Sequence, residues 1–300
     1  MPLADWIAVD WGTSRLRLWA LESSGRILGT QASDKGMGQL SAEGFEPALL
    51  ALAAPYLDPT RRTKILICGM AGARQGWHEA PYRQVPCTPV GDGTVQPEVS
   101  DPRLDVHILP GLSQQAPPDV MRGEEVQIAG FLMHHPGFDG TLCLPGTHCK
   151  WVRVADGCVQ SFQTTMTGEL FDLMSRQSIL RHDLGEGWDT AAFLAASQAA
   201  CANPELAFSD LFALRAGALL GKPVSKTPRS VLSGLLIGAE LSATCKHWQG
   251  QKVVVIGAPD LARRYCDALA QQGAKVTDLD GTELVLDGLK ACHLQQEGYP

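Results

Sequence analysis

The chain lacks several features that mark common classes of protein. It has no Lys/Arg run, and 25 Lys and Arg against 32 Asp and Glu give a net charge of −7. This balance argues against a partner with a phosphate backbone, such as a nucleic acid. No apolar stretch reaches the roughly 18 residues that a membrane-spanning helix needs, and the longest, residues 232–241, is interrupted by Gly and Glu. Residues 1–10 do not have the pattern of a signal peptide.

Common catalytic and metal-binding motifs are missing as well. Nine cysteines are scattered without a Cys-x-x-Cys pair, which favours reduced thiols in a cytoplasm over disulfides or a zinc site. No Gly-x-x-x-x-Gly-Lys-Ser/Thr loop and no Gly-x-Ser-x-Gly elbow occurs, and residues 36–41 lack the third Gly of a dinucleotide fingerprint. His134 and His135 are adjacent, so they do not have metal-ligand spacing.

The pattern that is present repeats once. In each half of the 300 residues a short apolar strand runs into a Gly-Thr turn, a second strand, another turn and a third strand, starting near residues 6 and 141. Strand and helix patterns then alternate, which predicts an α/β fold with mixed sheets and two domains that divide near residue 138. Residues 84–118, rich in Pro and Gly, are expected to form an irregular surface segment.

The two Gly-Thr turns are candidate phosphate sites. Turn amides and hydroxyls can hold phosphate oxygens, whereas Asp10, at the end of the first strand, would repel phosphate unless a divalent cation stood between them. A hairpin turn with a solvated Asp10 is the alternative. Two such turns could clamp a triphosphate from both sides, which favours phosphate binding. The residues concerned are Asp10, Gly12, Thr13 and Ser14 in the first turn, and Gly146 and Thr147 in the second.

At these motifs the chain resembles the superfamily of actin, heat-shock ATPases and sugar kinases. More narrowly it is similar to the 2-dehydro-3-deoxygalactonokinase family, over essentially its whole length. The matching segments are residues 9–13, 69–72, 121–125, 144–152 (LPGTHCKWV), 166–170 and 232–240. The resemblance implies two ribonuclease H-like lobes with mixed sheets flanked by helices and an active-site cleft between them.

The same resemblance implies a division of the chain and an activity. Residues 1–138 would form the first lobe, residues 139–281 the second, and residues 282–300 a helix that crosses back to the first. The implied activity is that of a phosphotransferase with an alcohol acceptor. It would use ATP and Mg²⁺ to phosphorylate the 6-hydroxyl of 2-dehydro-3-deoxy-D-galactonate, a sugar acid of galactonate catabolism.

Phosphoryl transfer needs a base near the attacking hydroxyl. The string Arg122-Gly123-Glu124-Glu125 resembles the Gly-x-Glu-Glu of polyphosphatases in this superfamily, so Glu124 is expected to be the catalytic base, with Glu125 in reserve. A carboxylate at a helix N-terminus is held ionised by the helix dipole. Two solvent-facing glutamates of a first helical turn are the alternative, and many related kinases have Asp at this place.

The remaining expected contacts concern ATP and the sugar acid. Lys150 is expected either to neutralise developing charge or to be an exposed strand residue, and His148 either to bind a phosphate or substrate hydroxyl or to be tied to backbone. Arg122 and Arg74 are the candidates for the substrate carboxylate, because a guanidinium binds a carboxylate bidentately. Gly257 and Ala258 lie between a strand and a helix, either beside the adenosine or as a plain turn.

Three other functions remain open at this stage. A phosphohydrolase of the same superfamily would act on polyphosphate or a nucleotide, although the net negative charge argues against a long polyanion. A sugar-acid sensor without catalysis usually adds a DNA-binding helix-turn-helix, for which the first strand, beginning by Trp6, leaves no room. A filament protein is the third alternative. The sequence does not decide the oligomeric state, and a homodimer is one alternative.

Overall fold

Residues 2–298 are described by a computed structural model. The strands of this part of the chain are β1 (Trp6–Trp11), β2 (Leu16–Leu21), β3 (Ile27–Ser33), β4 (Thr63–Gly69), β5 (Tyr82–Gln84), β6 (Leu104–Ile108), β7 (Gly111–Gln115), β8 (Pro118–Met121), β9 (Gly140–Leu144), β10 (Cys149–Ala155), β11 (Cys158–Thr165), β12 (Lys252–Gly257) and β13 (Lys275–Asp280). The helices are α1 (Phe45–Ala53), α2 (Glu124–His134), α3 (Thr167–Arg176), α4 (Thr190–Ala202), α5 (Leu206–Ser209), α6 (Leu211–Leu219), α7 (Pro228–Ala243), α8 (Cys245–Trp248), α9 (Pro259–Gln271) and α10 (Gly281–Gln296).

The first sheet has the strand order β3-β2-β1-β4-β6. The strands β1, β2 and β3 form an antiparallel meander, whereas β4 and β6 run parallel to β1. Apolar residues of β1 and β4 are buried on both faces of the sheet, as in sheets covered by other elements on each side. The carboxyl ends of β1 and β4 lie side by side, since Trp11 is paired with Gly69.

The second sheet repeats this arrangement in the order β11-β10-β9-β12-β13. Here β9 and β10 are antiparallel, and β12 lies parallel to both β9 and β13. Each sheet is therefore mixed, with three meander strands followed by two parallel ones. The repeat predicted from the sequence corresponds to this shared topology, and the prediction of an α/β fold with mixed sheets is confirmed.

A third, three-stranded sheet lies in the segment that was expected to be irregular. Its order is β5-β7-β8, with β5 and β7 parallel and β7 and β8 antiparallel. Leu112 is fully buried in it. The expectation of an irregular surface segment was therefore wrong for much of residues 84–118. The reason is that β5 and β7 pair across 26 intervening residues rather than through a local turn, which leaves no short-range signal.

Two helical regions also differ from the sequence pattern. The helix expected over residues 43–57 is reduced to α1, flanked by single 3₁₀ turns at Ala42–Gly44 and Ala54–Tyr56, and Pro55 occupies the second of these turns. The short helices α5 and α6 had no counterpart in the sequence pattern, and both leave large apolar side chains such as Phe208 exposed.

The chain forms two compact units. Among the described residues, one unit comprises residues 2–138, 155–160 and 281–298, and the other comprises residues 139–154 and 161–280. Within the first unit α10 packs against α2, and His134 of α2 lies 2.8 Å from the Asp287 carboxylate of α10. This contact fixes the helix that begins with the two candidate glutamates. Within residues 2–298 no helix is long and apolar enough to cross a membrane.

Candidate active site

The first Gly-Thr turn connects β1 to β2 in the first unit. The Gly12 N–H donates to the Arg15 carbonyl at 2.8 Å, which closes the turn between the paired residues Trp11 and Leu16. Thr13 and Ser14 are exposed at its tip. Their amides and hydroxyls are therefore accessible to a ligand, as the sequence predicts for a phosphate-binding turn.

A glycine-containing segment supports this turn from the side. The Gly38 N–H donates to the Thr13 carbonyl at 2.9 Å, and the Met37 N–H donates to the Gly12 carbonyl at 3.0 Å. A Cβ on Gly36 would lie 2.3 Å from the Thr13 carbonyl oxygen, so no other residue fits there without moving the turn. The sequence pattern excludes this segment as a dinucleotide motif, and its contribution is instead to hold the first Gly-Thr turn.

Asp10 does not stand free in solvent. Its Oδ2 accepts two hydrogen bonds from Arg17, from Nη2 at 2.6 Å and from Nε at 3.1 Å, and its side chain is 20% exposed. The two residues are direct cross-strand partners in β1 and β2. The interpretation of Asp10 as a solvated turn residue is therefore wrong. Sequence reasoning missed Arg17, although a four-residue turn over residues 12–15 implies that residue 17 pairs with residue 10.

The two candidate glutamates begin α2 at the same edge of the first sheet. Gly123, which precedes the helix, packs against Gly69 at the end of β4. Burial raises the pKa of the neighbouring Cys68 thiol, and the nearby charges of Asp10 and Glu125 raise it further. The fold therefore places Asp10 and the start of α2 around one point, next to the first turn.

The two glutamates have different surroundings. The Glu124 carboxylate is half-buried and its Oε2 accepts the Arg122 N–H at 3.2 Å. The Glu125 Oε2 accepts the Gly123 N–H at 2.6 Å, whereas its Oε1 is buried without a hydrogen-bond partner among the described residues. Burial, assisted by the adjacent Glu124 charge, raises the pKa of Glu125 to about 8. The interpretation that both glutamates face solvent is therefore wrong for Glu125, which is 1% exposed.

The two arginines expected to meet the substrate carboxylate also differ. The Arg122 guanidinium donates to the Ala80 carbonyl at 2.7 Å and lies over the Tyr82 ring, with 4.4 Å between the Arg122 Cζ and the ring centroid. These contacts tie it to the protein, although its Nε is buried without a partner among residues 2–298. Arg74 is 80% exposed and pairs with Glu79 at 3.3 Å. The structure therefore leaves Arg74 the more accessible cation.

The second Gly-Thr turn connects β9 to β10 in the second unit. A Cβ on Gly168 would lie 2.0 Å from the Gly146 carbonyl oxygen, and the Glu169 N–H donates to the Thr147 carbonyl at 2.9 Å. The first turn of α3 is therefore packed directly against this turn. The sequence identified residues 166–170 as a family motif without a role, and the structure shows that they support residues 146 and 147.

His148 is held by the same helix. Its Nε2 lies 2.7 Å from the Glu169 Oε2, and the His148 side chain is 46% exposed. The alternative was a hydrogen bond from His148 to the backbone. The structure shows instead that the partner of Nε2 is the Glu169 side chain of α3. The exposed His148 imidazole beside the second Gly-Thr turn is therefore accessible to a ligand.

The strand that leaves the second turn is buried. Lys150 is 4% exposed, so the alternative of an exposed strand residue is wrong. Its neighbour Trp151 is fully buried and donates from Nε1 to the Glu240 carboxylate of α7 at 2.7 Å. Tyr265 of α9 donates to the other oxygen of the same carboxylate, also at 2.7 Å. The Cys-Lys-Trp end of the LPGTHCKWV motif therefore anchors the turn in the core of the second unit.

The expected adenosine residues lie beside the second turn. Gly257 ends β12 and packs against Pro145, which precedes Gly146, and Ala258 is the N-cap residue of α9. The structure thus brings residues 257 and 258 next to residues 146 and 147 within the second unit. Ala258 follows a strand and opens a helix, a place where backbone amides can face a ligand.

The described residues do not form a metal site from protein groups alone. The described residues contain no group of three or more His, Cys, Asp or Glu that could bind one. Magnesium in a kinase needs fewer protein ligands, because one or two carboxylates bind it together with the phosphates of the nucleotide. Asp10 fits that requirement, because Arg17 binds only Oδ2 and the contact of Oδ1 is the Cys68 thiol at 3.8 Å.

Two mixed sheets of the same strand order, each with a glycine-supported turn between its first two strands, define the fold of actin-like ATPases and sugar kinases. A family model described as 2-keto-3-deoxy-galactonokinase matches residues 10–292. The chain belongs to this family. The predicted family and fold are confirmed, and with them the prediction of a sugar-acid kinase.

Individual relatives agree with this assignment. The Rhizobium meliloti protein named "Probable 2-dehydro-3-deoxygalactonokinase DgoK1" is 42% identical over 95% of each chain. The Escherichia coli 2-dehydro-3-deoxygalactonokinase is 31% identical over 96% of this chain and 97% of its own. A crystal structure of a candidate 2-dehydro-3-deoxygalactonokinase from Sinorhizobium meliloti superposes with a TM-score of 0.86 at 39% identity, covering 97% of this chain and 99% of that one.

Proposed function

We propose that the chain transfers the γ-phosphoryl group of ATP to the 6-hydroxyl of 2-dehydro-3-deoxy-D-galactonate, in D-galactonate catabolism. The products are ADP and 2-dehydro-3-deoxy-6-phosphogalactonate. The observation that carries the proposal is the meeting of Asp10, the exposed Thr13–Ser14 turn and the start of α2 at one edge of the first sheet. The names of the Escherichia coli and Rhizobium meliloti relatives supply the acceptor. The nine free thiols suit a reducing cytoplasm.

Glu124 is the catalytic base in this proposal. A base has to reach the attacking hydroxyl and has to be ionised at the working pH. Glu124 is half-buried at the first turn of α2, so part of its side chain is accessible to a bound substrate. Glu125 is fully buried with a pKa of about 8, so near neutral pH it carries a proton and cannot accept a second one.

The phosphates of ATP bind through turn amides and hydroxyls. In the first unit these belong to Gly12, Thr13 and Ser14, and in the second unit to Gly146 and Thr147. Lys150 and His148 add positive charge or hydrogen bonds beside the second turn, and Gly257 and Ala258 contact the adenosine. Binding through amides rather than through a basic surface agrees with the net charge of −7.

Asp10 contacts the magnesium ion that accompanies ATP, with Arg17 fixing the orientation of its carboxylate. The ion, when bound, neutralises phosphate charge as the γ-phosphoryl group leaves. For the substrate carboxylate, Arg74 is the preferred partner because both it and its ion-pair partner Glu79 are exposed, at 80% and 52%. The guanidinium of Arg122, in contrast, is bound to the Ala80 carbonyl and lies over the Tyr82 ring.

ADP formation with Mg-ATP tests the proposal. The assay compares 2-dehydro-3-deoxygalactonate, its gluconate epimer and a reaction without acceptor. The proposal expects turnover with the galactonate derivative far above the rate without acceptor. Phosphate release that does not depend on the acceptor would favour the phosphohydrolase, and sugar-acid binding without ADP formation would favour the sensor.

A further inference from the structure

A cavity in the second unit lies apart from the residues of the second turn. It has a volume of about 280 Å³ and is lined by Thr141, Arg153, Ser161, Lys246, His247 and Gln251. Thr141 is the second residue of β9, near the strand end opposite to the one that leads into the Gly146–Thr147 turn. Arg153 is the direct cross-strand partner of Thr141, so the two side chains share one face of the sheet.

One of the residues that line this cavity carries a buried hydroxyl without a partner. Thr141 is fully buried, and its Oγ1 has no hydrogen-bond partner within residues 2–298. A buried hydroxyl without a partner costs free energy, and most such groups in proteins are satisfied by protein, water or ligand. Its position in the lining of a polar cavity indicates where a partner would bind.

The charged groups around the cavity are mainly cationic. Arg153 donates to the carbonyls of Gly140 and Val154 and pairs with Asp139. These contacts involve both Nη atoms of the guanidinium, which hold Arg153 in place beside the cavity. Lys246 is exposed, and Asp139, which pairs with Arg153, is 69% exposed.

His247 completes the wall as a neutral group. Burial and the nearby Lys246 charge lower its pKa to about 4, so the imidazole is uncharged near neutral pH. Its Nε2 lies 3.3 Å from the Gln163 Oε1, which positions the ring. Hydroxyls, amides and cations around a small cavity are the groups that bind phosphate oxygens.

We propose that this cavity binds a small phosphate: inorganic phosphate or the phosphoryl group of a phosphorylated sugar acid. Arg153 and Lys246 supply the charge, and the Thr141 and Ser161 hydroxyls supply hydrogen bonds. The volume lies just below the usual range of small-molecule sites, so it suits the phosphoryl group rather than a whole nucleotide. The inference does not rest on the proposed kinase activity.

Equilibrium dialysis with radiolabelled inorganic phosphate tests this site. A saturating non-hydrolysable ATP analogue with Mg²⁺ is present throughout, so that phosphate-binding turns used by ATP are occupied. We expect about one phosphate bound per wild-type chain, weakened at least about tenfold in Lys246→Gln and about fivefold in Thr141→Val. Competition by 6-phosphogluconate stronger than by phosphate would assign the site to the phosphorylated sugar acid. If acetate competed as strongly as phosphate, the cavity would not be a phosphate site.

Matched controls separate binding from folding. Thr63, in the first unit, is also fully buried with an unpartnered Oγ1 among the described residues, so Thr63→Val should bind phosphate like the wild type. Lys222→Gln, at another exposed lysine of the second unit, is the matched control for Lys246→Gln. It should also bind phosphate like the wild type. Without phosphate, Thr141→Val should melt at the same or a higher temperature. Wild-type binding in both Thr141→Val and Lys246→Gln, or no phosphate bound by the wild type, would overturn the proposal.

Discussion

The Arg17 guanidinium holds the Asp10 carboxylate from the neighbouring strand, with 2.6 Å between Nη2 and Oδ2. The pair lies next to the first Gly-Thr turn, one position along the β1–β2 hairpin from the paired residues Trp11 and Leu16. An unsupported Asp10 side chain could rotate between staggered positions. The two hydrogen bonds from Arg17 to Oδ2 restrict this rotation, and Oδ1 is the atom that we propose for the magnesium contact.

Arg17→Met should therefore impair catalysis without unfolding the protein. Loss of the guanidinium frees the carboxylate, and we expect kcat/KM for Mg-ATP to fall about 10- to 100-fold. Arg17→Lys should give an intermediate value, because Lys keeps the charge but not the two-pronged geometry. Steady-state kinetics over a range of Mg²⁺ concentrations measures both. Wild-type kinetics in Arg17→Met would show that the orientation of Asp10 does not matter.

The two glutamates of α2 should respond differently to the same substitution. Glu124→Gln removes the proposed base, so kcat should fall about 10²- to 10⁴-fold. Glu125→Gln replaces a carboxyl that is already protonated near neutral pH, so kcat at pH 7 should stay within about tenfold of wild type. Turnover at pH 7 with saturating substrates distinguishes them. The reverse ranking would make Glu125 the base.

Glu125 should also make stability depend on pH. Its native pKa of about 8 lies above the ordinary value of 4.5. Between these values the folded chain keeps a proton that the unfolded chain loses, so the free energy of unfolding falls as pH rises from about 5 to 8. Glu125→Gln should remove this dependence and be roughly 1–3 kcal/mol more stable at pH 8.

Denaturant melts at pH 5, 6.5 and 8 measure this effect. Glu43→Gln, at an exposed glutamate of the first unit, is the matched control and should follow the wild-type curve. If Glu125→Gln lost stability with rising pH as steeply as the wild type, Glu125 would not be the group that keeps the proton.

Gly168 should be sensitive to a single added methyl group. Its Cβ would lie 2.0 Å from the Gly146 carbonyl oxygen, so Gly168→Ala must displace the second turn. We expect the KM for ATP to rise about tenfold and stability to fall by about 1–3 kcal/mol. Gly137→Ala is the control, since a Cβ there meets nothing within 4 Å. An unchanged KM for ATP in Gly168→Ala would show that the second turn does not contribute to ATP binding.

The sequence predicted the parts of this fold whose signals are local. Both strand-turn-strand openings were visible, because short apolar runs flank turns with Gly and Thr. The segments that pack against those turns could not be predicted from the sequence. Gly36 and Gly168 contact their turns from more than 20 residues away in the chain, and no local pattern records such a contact. The β5–β7 pairing was missed for the same reason.

Side-chain burial was the second property that the sequence pattern did not predict. Lys150 lies between buried Cys149 and Trp151 in a strand that is covered on both faces, so period-two alternation could not reveal its environment. The same applies to Glu125: two adjacent glutamates at a helix start look alike in sequence, whereas the packing of α2 buries one and leaves the other half-exposed. This difference in burial is the reason for proposing Glu124 rather than Glu125 as the base.

The most direct test of the kinase account is the structure of the product. The chain is incubated with Mg-ATP and 2-dehydro-3-deoxy-D-galactonate, and the product is examined by ³¹P NMR with proton coupling. The account predicts a new phosphomonoester signal split by the two protons on C6, appearing together with ADP in equal amounts. Inorganic phosphate as the main phosphorus product, or an ester at any other hydroxyl, would contradict it.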